Sequence, residues 1–595
     1  MSKPCHPVLP GLIPPTAINN YKQGLNLMKT KPITKGWWTL VVFVASLSAL
    51  NASAIELQFD NPELSGFVDT TISASVALTT TNGIERFSPA SGRLNVFQDA
   101  GEVYSAPLSF ITDAGVRWGD WGVFTRFGYL YDFEIMDGSN KCTNCSGRTP
   151  GSFLDGIPEG SRNEYNAFTL YDLFVYGDLD LGGHLTSVRV GKQVVNWGES
   201  NIMGGGISSA INPEDLGKRT TPGTEVKERL LPQEMVYFNF GLSEYTSLEA
   251  YYIWNWRRTE FVPVGTYFSP FDFLGPGFNP DLQVPGVEER DADKPKRGGQ
   301  WGVAVHHIFP SLNDMDLGLY WVRSHASNPY LQANFDPAGP GVIPGLFTTY
   351  HEVFSEDQDT YAISLSGEVF ETGIAFQTEV NFREDFWDTR ECMNFFGLAG
   401  ILGAIGAAPF PTSWTPVYPD TGGVPGCENE DNDIYTWLGS LLMSGAGHFG
   451  SDSHAYIFDW QMQWVDGQSH GDLTDRTPAL ASDAARLGLK TPGVDQLDRL
   501  VTDFSWGYTF VAAYTYNDVF WDINVKPTFV WVHNVEGYQP FNSGALVENQ
   551  RTVSVGVTFE YQTNMTLDVA HVWWPGREGT WSDRDNVSVT FKYSF

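Results

Sequence analysis

The chain has 595 residues, 42% hydrophobic and 14% aromatic with 20 tryptophans, and a formal net charge of −34 from 36 basic and 70 acidic side chains. An acidic excess of this size excludes nucleic acid as a partner, because phosphate binding needs clustered Lys and Arg. No stretch is apolar over the roughly 20 residues that a membrane-spanning helix needs.

In chain order, a polar start precedes Met28, the more natural initiator. Lys29, Lys31 and Lys35 then lead into the apolar run Trp37 to Leu50 and the small-residue box Ala52-Ser53-Ala54. Basic, apolar and small-x-small in that order predict a leader and secretory signal peptide over 1–54, cleaved after Ala54. Export leaves Cys142, Cys145, Cys392 and Cys427 in an oxidising compartment, where loop disulfides are expected.

From Ile55 onward the pattern is of strand-length alternations separated by Gly, Pro, Asn and Asp. In Trp121 to Phe133 the residues Trp121, Val123, Thr125, Phe127, Tyr129, Tyr131 and Phe133 share one face, while Arg126 and Asp132 lie on the other. Similar segments lie near 64–79, 107–118, 168–178, 185–195, 235–242, 248–256, 301–309, 315–322, 359–366, 373–382, 456–464, 504–515, 520–532, 553–561 and 564–574. The last one, Asn586 to Phe595, alternates Val587, Val589, Phe591, Tyr593 and Phe595 with Ser588, Thr590, Lys592 and Ser594.

A strand ending Phe591, Tyr593, Phe595 suits the closing, membrane-inserting strand of a bacterial outer-membrane barrel, handled by the barrel-assembly machinery and contacting outer-membrane lipid. The prediction is an all-β, transmembrane antiparallel barrel of about 16 strands (14–18) over 55–595. It carries long extracellular loops and a lumenal plug segment, and it is placed in the outer membrane of a Gram-negative cell.

Two apolar pieces, Asn394 to Ala408 and Trp437 to Met443, read as loop helices that either cap an entry site for a lipid-like molecule or pack on the barrel wall. The acidic loops are either simply solvated or bridged to lipopolysaccharide by divalent cations.

The densest unusual block reads Arg189-Val-Gly-Lys192-Gln193-Val-Val-Asn196-Trp197-Gly198-Glu199, then Ile211-Asn212-Pro213, then Arg219-Thr-Thr-Pro222-Gly223-Thr-Glu225-Val-Lys227-Glu228. It is too long for a hairpin and too polar for a core of its own. Its near-balanced charges suggest ion pairs that pin a plug or constriction, or Arg189 and Lys192 lining a pore for an anionic head group. Lumen or plug candidates are therefore Arg126, Arg189, Lys192, Gln193, Asn196, Trp197, Glu199, Asn212, Arg219, Glu225, Lys227 and Glu228.

This block, with Leu248 to Trp256 and Gly265-Thr266-Tyr267-Phe268-Ser269, resembles the proteobacterial family named for domain of unknown function 1302. The resemblance implies an outer-membrane barrel that handles hydrophobic compounds or lipids. It also implies a periplasmic carrier and an inner-membrane transporter of the resistance-nodulation-division type as partners.

No nucleophile elbow, zinc motif, phosphate loop or dinucleotide fingerprint is present, so neither catalytic residues nor a metal or cofactor is expected. A transport barrel for hydrophobic or amphipathic molecules is the leading expectation. A passive selective porin and an outer-membrane hydrolase are the alternatives.

Overall fold

The computed structural model describes residues 55–83, 96–138, 157–199, 202–269, 275–277, 288–289, 292–334, 349–369, 372–388, 430–466, 502–539, 546–575 and 581–595. The chain divides into two compact units, and Ser53–Phe595 holds every described residue. The leader, all four candidate disulfide cysteines and Asn394 to Ala408 lie outside the described residues.

Among the described residues, eighteen strands follow one another antiparallel. They are β1 Leu64–Thr79, β2 Pro107–Trp118, β3 Trp121–Asp132, β4 Asn166–Asp180, β5 Leu185–Gln193, β6 Gln233–Ser243, β7 Thr246–Asn255, β8 Gln300–Phe309 and β9 Met315–Ser324. The second half comprises β10 Gln358–Glu368, β11 Ile374–Asp388, β12 Glu430–Gly445, β13 Ser453–Val465, β14 Phe504–Phe520, β15 Ile523–Glu536, β16 Arg551–Tyr561, β17 Met565–Trp573 and β18 Asn586–Ser594.

The sheet closes on itself. β1 pairs with β2 on one side and with β18 on the other, from Thr71 opposite Ser594 to Thr79 opposite Asn586. Phe595 exchanges both backbone hydrogen bonds with Thr70, at 2.7 and 2.9 Å. Closure leaves the ladder without an unpaired edge, which an interior of hydrocarbon would not tolerate.

The strand number corrects the expected 16. Each of the 17 alternating segments read from the sequence falls in a barrel strand, and the eighteenth is β12, which pairs with β11 and β13 along its length. Trp437 to Met443 is thus wall and not a loop helix. Its pattern is blurred by Leu438, an apolar residue on the inner face, and by the unbroken run Leu441-Leu442-Met443.

Burial along the strands is inverted relative to a soluble sheet. On β10, Tyr361 and Ile363 are 38% and 47% exposed, whereas Thr360 and Ser364 are 0% and 2% exposed. The same holds on β12, where Tyr435 and Trp437 face outward while Thr436 and Ser440 are buried. Apolar side chains outside and hydroxyl, amide and carboxylate groups inside are what a barrel in lipid requires. An outer ladder of rings crosses β8 to β12, with centroids 4.8 Å apart for Trp301 and Trp321, 5.9 Å for Trp321 and Tyr361, and 4.7 Å for Phe382 and Tyr435. It matches the aromatic girdle of a membrane interface.

Connections alternate in length. Gly119-Asp120 joins β2 to β3, and Trp521-Asp522, both at positive φ as a two-residue type I′ turn demands, joins β14 to β15. Residues 194–232 join β5 to β6, and residues 256–299 join β7 to β8. All long connections therefore leave the same end of the barrel. No helix among the described residues is long and apolar enough to cross a membrane.

A lysine in place of the outward-facing Val555 should destabilise the barrel in lipid vesicles by about 2–4 kcal/mol, while a lysine at the neighbouring inward Ser554 should cost far less. Urea unfolding in vesicles measures both, and equal costs would contradict a lipid-facing Val555.

Candidate functional site

The connection 194–232 lies against inner faces of the barrel. It begins at Gln193, whose buried amide donates to the Met235 carbonyl at 3.3 Å. Val195, Trp197, Ile207 and Ile211 then form an apolar core with Met235, Tyr237, Tyr251 and Ile253 of β6 and β7 and with Tyr320 and Val322 of β9. Fully burying side chains of this size contributes about 1.5–3 kcal/mol each. The Trp197 indole N–H donates to Glu249 at 2.6 Å, and the same carboxylate accepts from Tyr237 at 2.6 Å and Asn239 at 3.2 Å. Asn212 ties the two ends of the core together by donating to the Val195 carbonyl at 2.7 Å.

Further along, the connection meets β11 and β13. The fully buried carboxylate of Glu379 accepts the backbone N–H of Ile207 at 2.7 Å, that of Glu199 at 3.0 Å and the Asn381 amide at 3.0 Å. Asn381 also donates to the Gly205 carbonyl at 3.1 Å, and Asp459 accepts the Ile202 N–H at 3.0 Å. Gly198 makes this seat possible. It has φ +80°, and a Cβ there would lie 2.2 Å from Glu379 Oε2 and 2.5 Å from the Ile207 side chain. Burial pushes the Glu199 carboxyl above its ordinary range.

The far part of the connection reaches the other wall. Ser73 on β1 donates to the Gly223 carbonyl at 3.2 Å. Arg126 on β3 holds Asp113 with two bonds of 2.7 and 2.9 Å and reaches Asp172 at 3.3 Å. Lys227 joins this cluster through Asp113 at 3.5 Å and Glu225 at 3.2 Å, and Glu228 accepts from Tyr171 at 3.2 Å while capping the turn at Glu225.

The remaining candidates sit elsewhere. Arg189 places its guanidinium 4.1 Å from the Tyr237 ring centroid, a cation–π contact. Lys192 donates to the Leu170 carbonyl, Asn196 is exposed, and Arg219 makes an exposed 3.5 Å pair with Glu214. Sequence reading missed Asp113, Asp172, Glu249, Glu379, Asn381 and Asp459. The available signal was a carboxylate on the polar face in the middle of an otherwise alternating strand.

The segment Gly265 to Ser269 also turns inward. Thr266, Tyr267 and Ser269 are buried, the Tyr267 ring stacks on Tyr104 at 4.1 Å, and its hydroxyl donates to the Asp585 carbonyl at 3.0 Å. Together with Thr220 and Thr221 these rings line a small pocket between the two inward connections.

Asp215 starts the short helix Leu216–Thr220 by accepting the Lys218 N–H at 2.8 Å, and its own N–H donates to the Arg229 carbonyl. Burial pushes its carboxyl up to about 6 against an opposing pull from the Lys218 N–H. A raised value means that the seated form holds a proton more tightly than the released chain. Seating should therefore strengthen as pH falls from 7 through about 6, and weaken as pH rises. Hydrogen-exchange protection at 216–221, corrected for intrinsic rates, should show this rise between pH 7.5 and 5, and Asp215→Asn, which keeps the capping oxygen, should flatten it.

Comparison with known proteins adds a family and a loose structural likeness. No curated protein matches. Among solved structures, OccAB2 of Acinetobacter baumannii overlaps 89% of this chain and 98% of its own at 10% identity and a TM-score of 0.38. OccK9 (OpdG) of Pseudomonas aeruginosa does so over 89% and 98% at 11% identity and 0.39. A BenF-like porin from Pseudomonas fluorescens Pf-5 covers the same shares at 9% identity and 0.39. These overlaps are too loose to assign any position. The family model described as protein of unknown function (DUF1302) matches residues 37–595, nearly the whole sequence. The chain belongs to this family.

Proposed function

We propose that the protein is a substrate-selective transport barrel of the Gram-negative outer membrane, in which the connection 194–232 is the constriction that a hydrophobic or amphipathic cargo must pass. The observation that carries this reading is the anchoring of that one connection to opposite walls, through Glu379 and Asp459 on one side and Ser73 and Asp113 on the other. Directed bonds to both walls hold this segment across the interior rather than along one side of it. The apolar belt and outer rings support residence in a membrane, and the long connections face the cell exterior while the short turns face the periplasm.

Cargo class and partners extend the reading further. A lipid-like cargo, with a periplasmic carrier and an inner-membrane resistance-nodulation-division transporter, is what the family resemblance suggests. Molecules retained by the protein on gentle extraction, identified by mass spectrometry, test the cargo directly. Small sugars and salts alone moving at porin rates would instead favour a passive porin.

The constriction has its own test. Glu379→Ala leaves two backbone N–H groups without their acceptor, a loss of about 1–3 kcal/mol for each. It should raise single-channel conductance in planar bilayers while the barrel remains resistant to cold detergent, and deleting residues 200–230 should raise it more. Unchanged conductance in both variants would remove the connection from the cargo's way.

A further inference from the structure

The strand register resolves the interior into cross-strand rows, and burial along them is lopsided. On the side where Glu379 anchors the connection, one row runs Gly318, Ser364, Glu379, Leu438, Gln461, Gly507 across β9 to β14. Every member is buried. A different row, nearer the short turns, continues from Ala455 and Ala513 of β13 and β14, both unburied, into Thr528, Gly556, Ala570, Ser588 across β15 to β18, and none of these four is buried. Thr528, Gly556 and Ala570 face inward, because their sequence neighbours Phe529, Val555 and Val569 are among the exposed apolar residues of the outer belt, and Ser588 shares their face through its pairing with Ala570.

Charge is distributed along the same wall in a definite order. Nearest the short turns, Lys526 pairs with Glu560 at 2.8 Å, and the Thr558 hydroxyl donates to Asp568. Lys526 and Glu560 neutralise each other there. One row further in, the wall is neutral and has no side chain larger than threonine.

We propose that the route through the barrel is one-sided, running between the seated connection and the inner faces of β15 to β18, and that the row Thr528, Gly556, Ala570, Ser588 sets its width. This rests on the transport reading and deepens it. A neutral wall of methyl, hydroxyl and bare backbone makes no charge-assisted bond and leaves little bulk. It favours a slender amphipathic molecule with an uncharged body over a compact ion, whose lost hydration such a wall cannot replace.

The test introduces single cysteines into the full-length protein in liposomes, at Gly556 and Ala570 on the open wall and at Ser364 and Ser440 on the covered one. Modification by the water-soluble reagent methanethiosulfonate ethylsulfonate is read peptide by peptide, so that the native cysteines do not interfere. The two open-wall thiols should react at least about tenfold faster, since thiol modification follows exposure, and their modification should lower single-channel conductance. Equal or faster reaction at 364 and 440 would overturn the one-sided route, as would labelling at 556 and 570 that leaves conductance unchanged. Two open-wall sites guard against a variant that fails to fold. Thiol labelling reports water access and not cargo movement. A barrel that labels as expected yet moves no N-phenylnaphthylamine therefore keeps the route and loses the transport reading.

Discussion

Closure between β1 and β18 is the constraint on which everything else depends. A sheet in hydrocarbon must satisfy every backbone N–H and C=O within itself, and only a ring of strands does so. The bonds between Phe595 and Thr70 and the register from Thr71 opposite Ser594 complete that ring. Once the ring exists, each strand has one face turned outward and one toward the interior. The inverted burial of Tyr361 and Thr360 follows from this.

An interior lined by carboxylates and amides sets a second problem. Glu379, Asp459 and Asp113 need partners wherever water is displaced from them. The connection 194–232 supplies backbone N–H groups to the first two and a lysine to the third. Wall and connection are thus complementary halves, and at Gly198 the fit leaves no room for a side chain. The apolar core around Trp197 and Ile207 adds non-directional stabilisation to this polar fit.

The fold was legible because period-two alternation with aromatic rings is a local property, visible in Trp121 to Phe133 without knowledge of any neighbour. β12 escaped for an equally local reason: Leu438 and the run Leu441 to Met443 break the alternation. The site was legible only on one side. The charge density of the block after Arg189 pointed to Glu225, Lys227 and Glu228, and Arg126 stood out as a charge within a strand. Which wall receives which part of the connection is a tertiary fact. Glu379 lies 172 residues from the Ile207 N–H that it accepts, and Ser73 lies 150 residues from Gly223. No periodicity encodes such separations. The Tyr237 and Leu170 contacts of Arg189 and Lys192, both prominent in the sequence, lie within their own stretch of wall.

The near balance of charge in the connection has a consequence for the protein's surroundings. The chain as a whole is strongly acidic, and repulsion among its exposed carboxylates is screened beyond about 8 Å at physiological ionic strength, so it varies with salinity. The contacts that seat the connection are short and largely buried, beyond the reach of a diffuse ion atmosphere. As ionic strength changes, repulsion between exposed carboxylates changes with it, while the contacts that seat the connection do not. The barrel separates a surface that responds to its medium from an interior that does not.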